Sequence, residues 1–215
     1  MSVTSCPNKK SVDKKEQLIA LKKKMQGDKS LPLRQGTTNL VFGEGSPNAE
    51  MFFLGEGPGY HEDRLGRPFV GNAGMLLNKL LQSIKVERRD VFITNVVCFR
   101  PPENRDPLPE EIAAFQPYID EIISTVGPKV VVTLGRFSMG KFLPNVRISS
   151  VHGKVFKVNY GGKEVTVVPM FHPAAALRRN DVMIMIKNDF LRLPEIIKKI
   201  KSEKPKIEAK QMSLV

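Results

Sequence analysis

The chain has 215 residues, 41% of them hydrophobic, which is enough for one sizeable domain with short extensions. Its 34 lysines and arginines outnumber 22 aspartates and glutamates, giving a formal net charge of +12 that points to a polyanionic partner. No apolar run approaches the roughly 18 residues of a membrane span, and Cys6 and Cys98 are too few for a disulfide framework or an all-cysteine metal site.

The polar, lysine-rich start has no signal-peptide core, so the expectation is a cytoplasmic, nucleoid-associated protein. Residues 1–30 form a basic segment that reads as a peripheral helix over 13–25 or as partly disordered chain. Residues 31–48 are loop-like, with Pro32, Gly36, Gly43, Gly45 and Pro47. A first strand is expected over 49–55, a helix over 72–84 and a second strand over 91–97. A proline-rich loop, 100–109, leads into a helix over 110–126 that Pro117 is expected to kink.

Residues 129–134 are a continuous β-branched run of the kind that forms a buried parallel strand. A short helix over 136–142 follows. Two arms, 154–160 and 163–170, flank Gly161-Gly162, a hairpin signal. A last helix spans 181–200, bent at Pro194, and 201–215 is expected to be a mobile basic tail. The alternation argues for a three-layer α/β/α sandwich with a short, mainly parallel central sheet.

Polar signatures stand at the ends of three expected strands. The first is Gly55-Glu56-Gly57-Pro58-Gly59 with Glu62, Asp63 and, further on, Phe69. The second is Thr94-Asn95 and the third is Phe171-His172-Pro173. In a parallel sheet these ends share one edge, where open α/β folds place their ligands. Glycines let backbone amides approach a ligand, carboxylates offer general-base or charge-stabilising chemistry, and an aromatic ring offers a stacking face. Singly, Phe69 fits a core residue, Asn95 a turn residue and His172 a structural histidine. Their common register at one edge makes them candidates. His61 and His152 belong to no motif.

The segments GEGPGYHED, GRPFVGNAG, FITNVVCFRPPENRDPLP and MFHPAAALRRN resemble, in order and spacing, the family 4 uracil-DNA glycosylases. The resemblance covers about residues 31–200, which would be the catalytic domain, and implies excision of uracil from DNA. It implies that Phe69 stacks on an extruded uracil, that Asn95 reads its amide edge, and that the backbone of Glu56 and Gly57 helps hold it. His172 would stabilise the negative charge of the leaving base. The turn after it, with Pro173, Leu177, Arg178 and Arg179, would meet DNA. Glu56, Glu62 and Asp63 are the carboxylates that could orient water or balance the sugar cation, and sequence does not rank them.

The chain departs from this family at its cofactor. The family holds a [4Fe–4S] cluster on four cysteines. Aligned on Leu40-Val41-Phe42-Gly43 and Arg100-Pro101-Pro102, their places fall on Asp28, Leu31, Phe99 and Phe115. The expectation is a cofactor-free, metal-free protein, a monomer, acting on uracil-containing DNA without a membrane contact. Alternatives are a glycosylase for another deaminated base such as hypoxanthine, or a non-catalytic DNA-binding relative. A nucleotide-phosphate binder is disfavoured by the lack of Gly-Lys-Ser/Thr and GxGxxG motifs.

Overall fold

The computed structural model describes residues 13–202. The chain runs α1 (Lys14–Gly27), β1 (Glu44–Gly45), β2 (Met51–Gly55), α2 (Tyr60–Leu65), α3 (Asn72–Ser83), β3 (Phe92–Asn95), α4 (Pro109–Val126) and β4 (Val130–Leu134). It continues with α5 (Arg136–Gly140), α6 (Ile148–Val151), β5 (Phe156–Tyr160), β6 (Lys163–Met170), α7 (Pro173–Ala176) and α8 (Asn180–Ser202). The strands form one sheet in the order β1-β3-β2-β4-β6-β5. The four inner strands are parallel, and β1 and β5 pair antiparallel at the two edges. Helices cover both faces, so the expected sandwich with a mainly parallel sheet is the observed one.

Alternation along the strands divides the core in two. Phe52, Leu54, Phe92, Val131 and Val167 face α1 and α4. Phe53, Ile93, Val130, Val132 and Val168 face α3 and α8. The hairpin closes where the glycine pair predicted it, with Gly161 and Gly162 both at positive φ, +59° and +77°. The kink expected at Pro117 does not divide α4, and α8 likewise runs through Pro194. The strand β1 and the helix α2 arise within stretches that read as loop. The expected tail reaches only Lys201 and Ser202 here, both in α8; residues 203–215 and Cys6 lie outside the described residues.

The basic segment contributes a packed helix. Leu18, Leu21 and Met25 of α1 recur at helical spacing and are buried against the α4 side of the core. Its C-terminal end is held by Arg34, whose guanidinium donates to the carbonyls of Met25, Asp28 and Gln26 at 3.4, 3.1 and 2.9 Å. That guanidinium also lies 5.0 Å from the centre of the Phe99 ring.

The four places where the resemblance would put thiolates lie around this junction. Phe99 and Phe115 meet edge to face with ring centres 6.0 Å apart, and Leu31 is buried in the same cluster. The Asp28 carboxylate accepts from the Tyr118 hydroxyl at 2.6 Å and from the Ser30 amide and hydroxyl at 2.9 and 2.6 Å. An iron–sulfur cluster needs thiolate ligands. Two phenyl rings, an isobutyl group and a carboxylate already occupied by neighbours do not fit it. The adjacent Cys98 is fully buried, and burial pushes its thiol up to about 12, so it remains protonated. Among the described residues, no group of three or more His, Cys, Asp or Glu could hold a metal ion.

Phe115 is wholly buried. Phe115→Ala should therefore lower the unfolding free energy by about 3–5 kcal/mol, measured by urea denaturation. A loss under about 1 kcal/mol would mean that this junction contributes little to the core.

Candidate active site

The register of the parallel strands places Gly55 opposite Asn95 and Leu134 opposite Met170, bringing their carboxyl ends to one edge. A cleft of about 370 Å³ opens there. Of the predicted site residues, Glu56, Gly57, Glu62, Phe69, Asn95, His172 and Arg178 line it.

Gly55 ends β2, and a Cβ on it would lie 2.3 Å from Asn95 Oδ1 and 2.6 Å from the Phe69 ring. The Asn95 side chain and the Phe69 ring therefore pack on bare backbone. Asn95 is 1% exposed, and its Oδ1 has no hydrogen-bond partner among the described residues. A buried acceptor without a donor costs free energy unless a ligand completes it. Phe69 holds φ +50°, a rare conformation for a side-chain-bearing residue. Gly74 permits it, since a Cβ there would come 1.8 Å from the Phe69 carbonyl oxygen. The Phe69 ring stacks on His172 with centres 5.5 Å apart.

His172 caps the N-terminus of α7, its Nδ1 accepting from the Ala174 amide at 3.1 Å. An accepting Nδ1 carries no proton, so in the neutral ring the hydrogen is on Nε2. Burial pulls the imidazole down to about 4, opposed by the Glu62 charge and reinforced by Arg178. At neutral pH this histidine is an uncharged donor.

The three carboxylates separate by their partners. Glu62 accepts from the Gly59, Val70 and Gly71 amides at 3.2, 2.8 and 2.9 Å, fastening the start of α2 to that of α3. Asp63 is buried away from the cleft and accepts from the Thr38 and Asn39 amides, with contacts of 2.9 to 3.1 Å. Its placement among residues that meet substrate is corrected: its carboxylate anchors the 38–39 loop. Glu56 lines the cleft and accepts at Oε1 from the Phe137 amide at 3.1 Å. Burial raises its carboxyl above the ordinary range, against the Phe137 amide and Arg136, with Asp106 adding to the rise. Gly135, at φ +105°, leaves room for it, since a Cβ there would stand 2.3 Å from Oε1.

The turn after His172 also departs in part from expectation. Leu177 is half exposed and Arg178 lines the cleft, but Pro173 is buried in the first turn of α7. Arg179 is engaged by Asp181. Pro173 therefore shapes the turn rather than presenting a surface. His152, which no motif marked, binds Asp189 at 2.8 Å and packs on Phe171, beside His172 in the chain.

Sequence reasoning missed the contribution of the proline-rich loop. Asn104, Arg105 and Asp106 line the same cleft as His172. Glu103 and Asn104 both hold positive φ, +54° and +56°. Arg105 forks onto Glu111 at 2.8 and 2.6 Å, and Asp106 pairs with Arg136. The run of prolines at 101, 102, 107 and 109 was the available signal for a rigid, shaped loop.

A flat ring, an unfilled buried acceptor, a neutral imidazole donor and a desolvated carboxylate thus converge on one small cleft. Residues 42–193 match the family model of the uracil DNA glycosylase superfamily. The chain belongs to that superfamily. It is 44% identical over 189 residues to the type-4 uracil-DNA glycosylase of Sulfurisphaera tokodaii, covering 84% of this chain and 85% of that protein. Its identity to the Archaeoglobus fulgidus type-4 enzyme is 41% over 187 residues, covering 84% and 94%, respectively. It is also 41% identical over 171 residues to the Thermotoga maritima type-4 enzyme, covering 78% and 88%.

The downward shift at half-buried His172 has a sign-definite consequence. Its folded value, about 4, lies below the ordinary 6.5, so the unfolded chain binds the proton more tightly. The linked stability is full above about pH 6.5 and is lost as pH falls toward 4, by on the order of 3 kcal/mol. Urea unfolding from pH 7 to 4.5 should show this slope, reduced in His172→Gln; an unchanged slope in the variant would place the titration elsewhere.

Proposed function

We propose that this protein excises uracil from DNA, hydrolysing the bond between base and deoxyribose and leaving an abasic site. The unfilled Asn95 Oδ1 is the observation that carries the reading to a base of this kind. Uracil has a hydrogen on N3 that this oxygen accepts, while the Asn95 amide nitrogen donates to the neighbouring carbonyl. Cytosine has no hydrogen on N3 and carries an amino group where uracil has that carbonyl. It would leave the buried amide unpaired, a mismatch that sites of this design reject strongly.

A base inside a duplex is out of reach, so the nucleotide must leave the stack at a cost of a few kcal/mol. Stacking on Phe69 offsets that cost, and Leu177 fills the space vacated in the duplex with Arg178 beside it. The carbon–nitrogen bond then breaks with both electrons going to the base. The sugar becomes oxocarbenium-like and the uracil anionic. Nε2–H of His172 donates to the oxygen on which the charge develops. A preorganised donor in a water-poor cleft is the kind of contribution that dominates such catalysis. Because the imidazole starts neutral, donation costs no earlier protonation.

Glu56 is the carboxylate we assign to the water and the sugar cation. Glu62 and Asp63 spend their oxygens on backbone amides, whereas Glu56 reaches the cleft with a raised carboxyl suited to accepting a proton. Water adds its oxygen to the sugar carbon as one of its protons passes to the Glu56 carboxylate, and the uracil anion departs to be protonated by solvent. We further propose that the protein does this without a metal. Asp28, Leu31, Phe99 and Phe115 support that reading because they form a packed junction with no thiolate.

The test is single-turnover cleavage of an oligonucleotide carrying one uracil, with hypoxanthine and mispaired thymine as controls. Purified protein should be colourless and active; stoichiometric iron with iron–sulfur absorbance would overturn the metal-free part. His172→Ala should slow the chemical step about 100- to 1000-fold with DNA affinity little changed. A rate within about threefold of wild type would remove it from the catalytic set. Gly55→Ala, which displaces Phe69 and Asn95 together, should cost about 100-fold in rate, as misplacement by about 1 Å does. An unaltered rate would show that the pocket adjusts to a methyl group.

A further inference from the structure

A second cleft, of about 710 Å³, lies between α3 and α8, away from the site described above. Met75, Lys79 and Leu80 line one wall, and Met183, Lys187 and Leu191 the other. Its upper end is Leu177, so the groove is continuous with the turn assigned to DNA. The apolar side chains here are open to solvent: Met75 is 54% exposed, Leu177 49% and Leu191 56%. Ile184, 61% exposed, lies two helical turns before Leu191 on the same side of α8. Contiguous exposed apolar surface rimmed by polar groups marks interaction sites.

The charges narrow the occupant. No acidic residue lines the groove, and Lys79 and Lys187 have no ion pair among the described residues. Of the acids of α8, Asp181 pairs with Arg179 and Asp189 with His152, while Glu195 stands one turn beyond Leu191, outside the groove lining. From Met183 to Leu191 the groove wall runs about 12 Å at the helical rise per residue. We infer that this groove docks a short amphipathic helix of a protein partner, with apolar side chains entering between α3 and α8 and carboxylates meeting Lys79 and Lys187. Such a helix presents anchors at i, i+3 or i+4, and i+7, which match a groove of this length.

Two other occupants fit less well. The groove lining contains no aromatic ring on which a DNA base could stack, and a phosphate backbone meeting Lys79 and Lys187 would leave the methionine and leucine lining uncovered. A second copy of a chain with net charge +12 would bring like charge against the lysine rim. A partner held here would stand beside Leu177, next to the DNA turn, without blocking the 370 Å³ cleft.

The probe is a fluorescein-labelled helical peptide of about 14 residues with leucines at that spacing and flanking glutamates. A control peptide carries lysine for each glutamate. Anisotropy should show the acidic peptide binding the wild-type protein and weakening at least about tenfold with Leu191→Asp, Leu191→Ser or the double variant Lys79→Glu/Lys187→Glu. The double variant should in turn prefer the lysine peptide. Uracil excision should persist in all three variants, which separates this inference from the glycosylase reading and reports a folded protein. Absence of binding up to about 1 mM, or equal affinity across the variants, would overturn it. So would a wild-type dimer that Leu191→Asp dissolves, a loss of duplex-DNA affinity in Leu191→Asp, or a marked gain in peptide affinity when the chain ends at Ser202. These three outcomes would assign the groove to a second copy, to DNA and to the chain's own C-terminal residues.

Discussion

The last residue of β2 has no side chain, and the cleft is built on that fact. The Gly55 backbone touches the side-chain oxygen of Asn95 on one side and the Phe69 ring on the other, at distances that exclude a methyl group. Parallel pairing of β2 with β3 makes the first contact, because it sets Gly55 level with Asn95. The left-handed turn at Phe69, which needs Gly74 beneath its carbonyl, makes the second. Asn95 is thereby positioned by a strand end, and Phe69 by the α2–α3 loop packed against the glycine that ends β2.

Electrostatics then distinguish groups that look alike. Glu56, Glu62 and Asp63 lie within eight residues, all acidic and all close to the cleft in sequence. Two satisfy orphan backbone amides, fixing α2 to α3 and to the 38–39 loop. Three amides engage Glu62 and two engage Asp63, which holds both carboxylates in place. Glu56 sits where burial opposes its ionisation, which is how sites tune a carboxylate toward proton transfer. The same burial acts in reverse on His172, keeping it uncharged and, through the Ala174 amide, in one tautomer.

Remote from the cleft, the N-terminal helix is secured by ordinary packing and polar contacts. Arg34 gathers three carbonyls at the end of α1 while covering Phe99, and Tyr118 reaches Asp28 one helical turn beyond Phe115. Cohesion here comes from apolar burial and neutral or charge-assisted hydrogen bonds.

The sequence by itself determined the layer architecture, because β-branched runs and helical periodicity are local patterns that a parallel sheet reads directly. It also placed Glu56, Asn95 and His172 at strand ends, with Phe69 further along the same connection, and the order of four motifs carried the family. It expected a kink at Pro117, and α4 runs unbroken through that residue, since a long helix packed on a sheet tolerates one missing amide hydrogen bond. It left β1 and α2 as loop because glycine-rich and charged segments acquire regular structure there only from tertiary partners, Ile93 and Phe92 for the one and the Glu62 cap for the other. The amide partners of the three carboxylates, the presence of Asn104 to Asp106 at the cleft and the tautomer of His172 were decided by the tertiary structure alone. Each depends on which backbone amide lies within about 3 Å of a side-chain atom, and that distance is set by contacts between residues far apart in the chain.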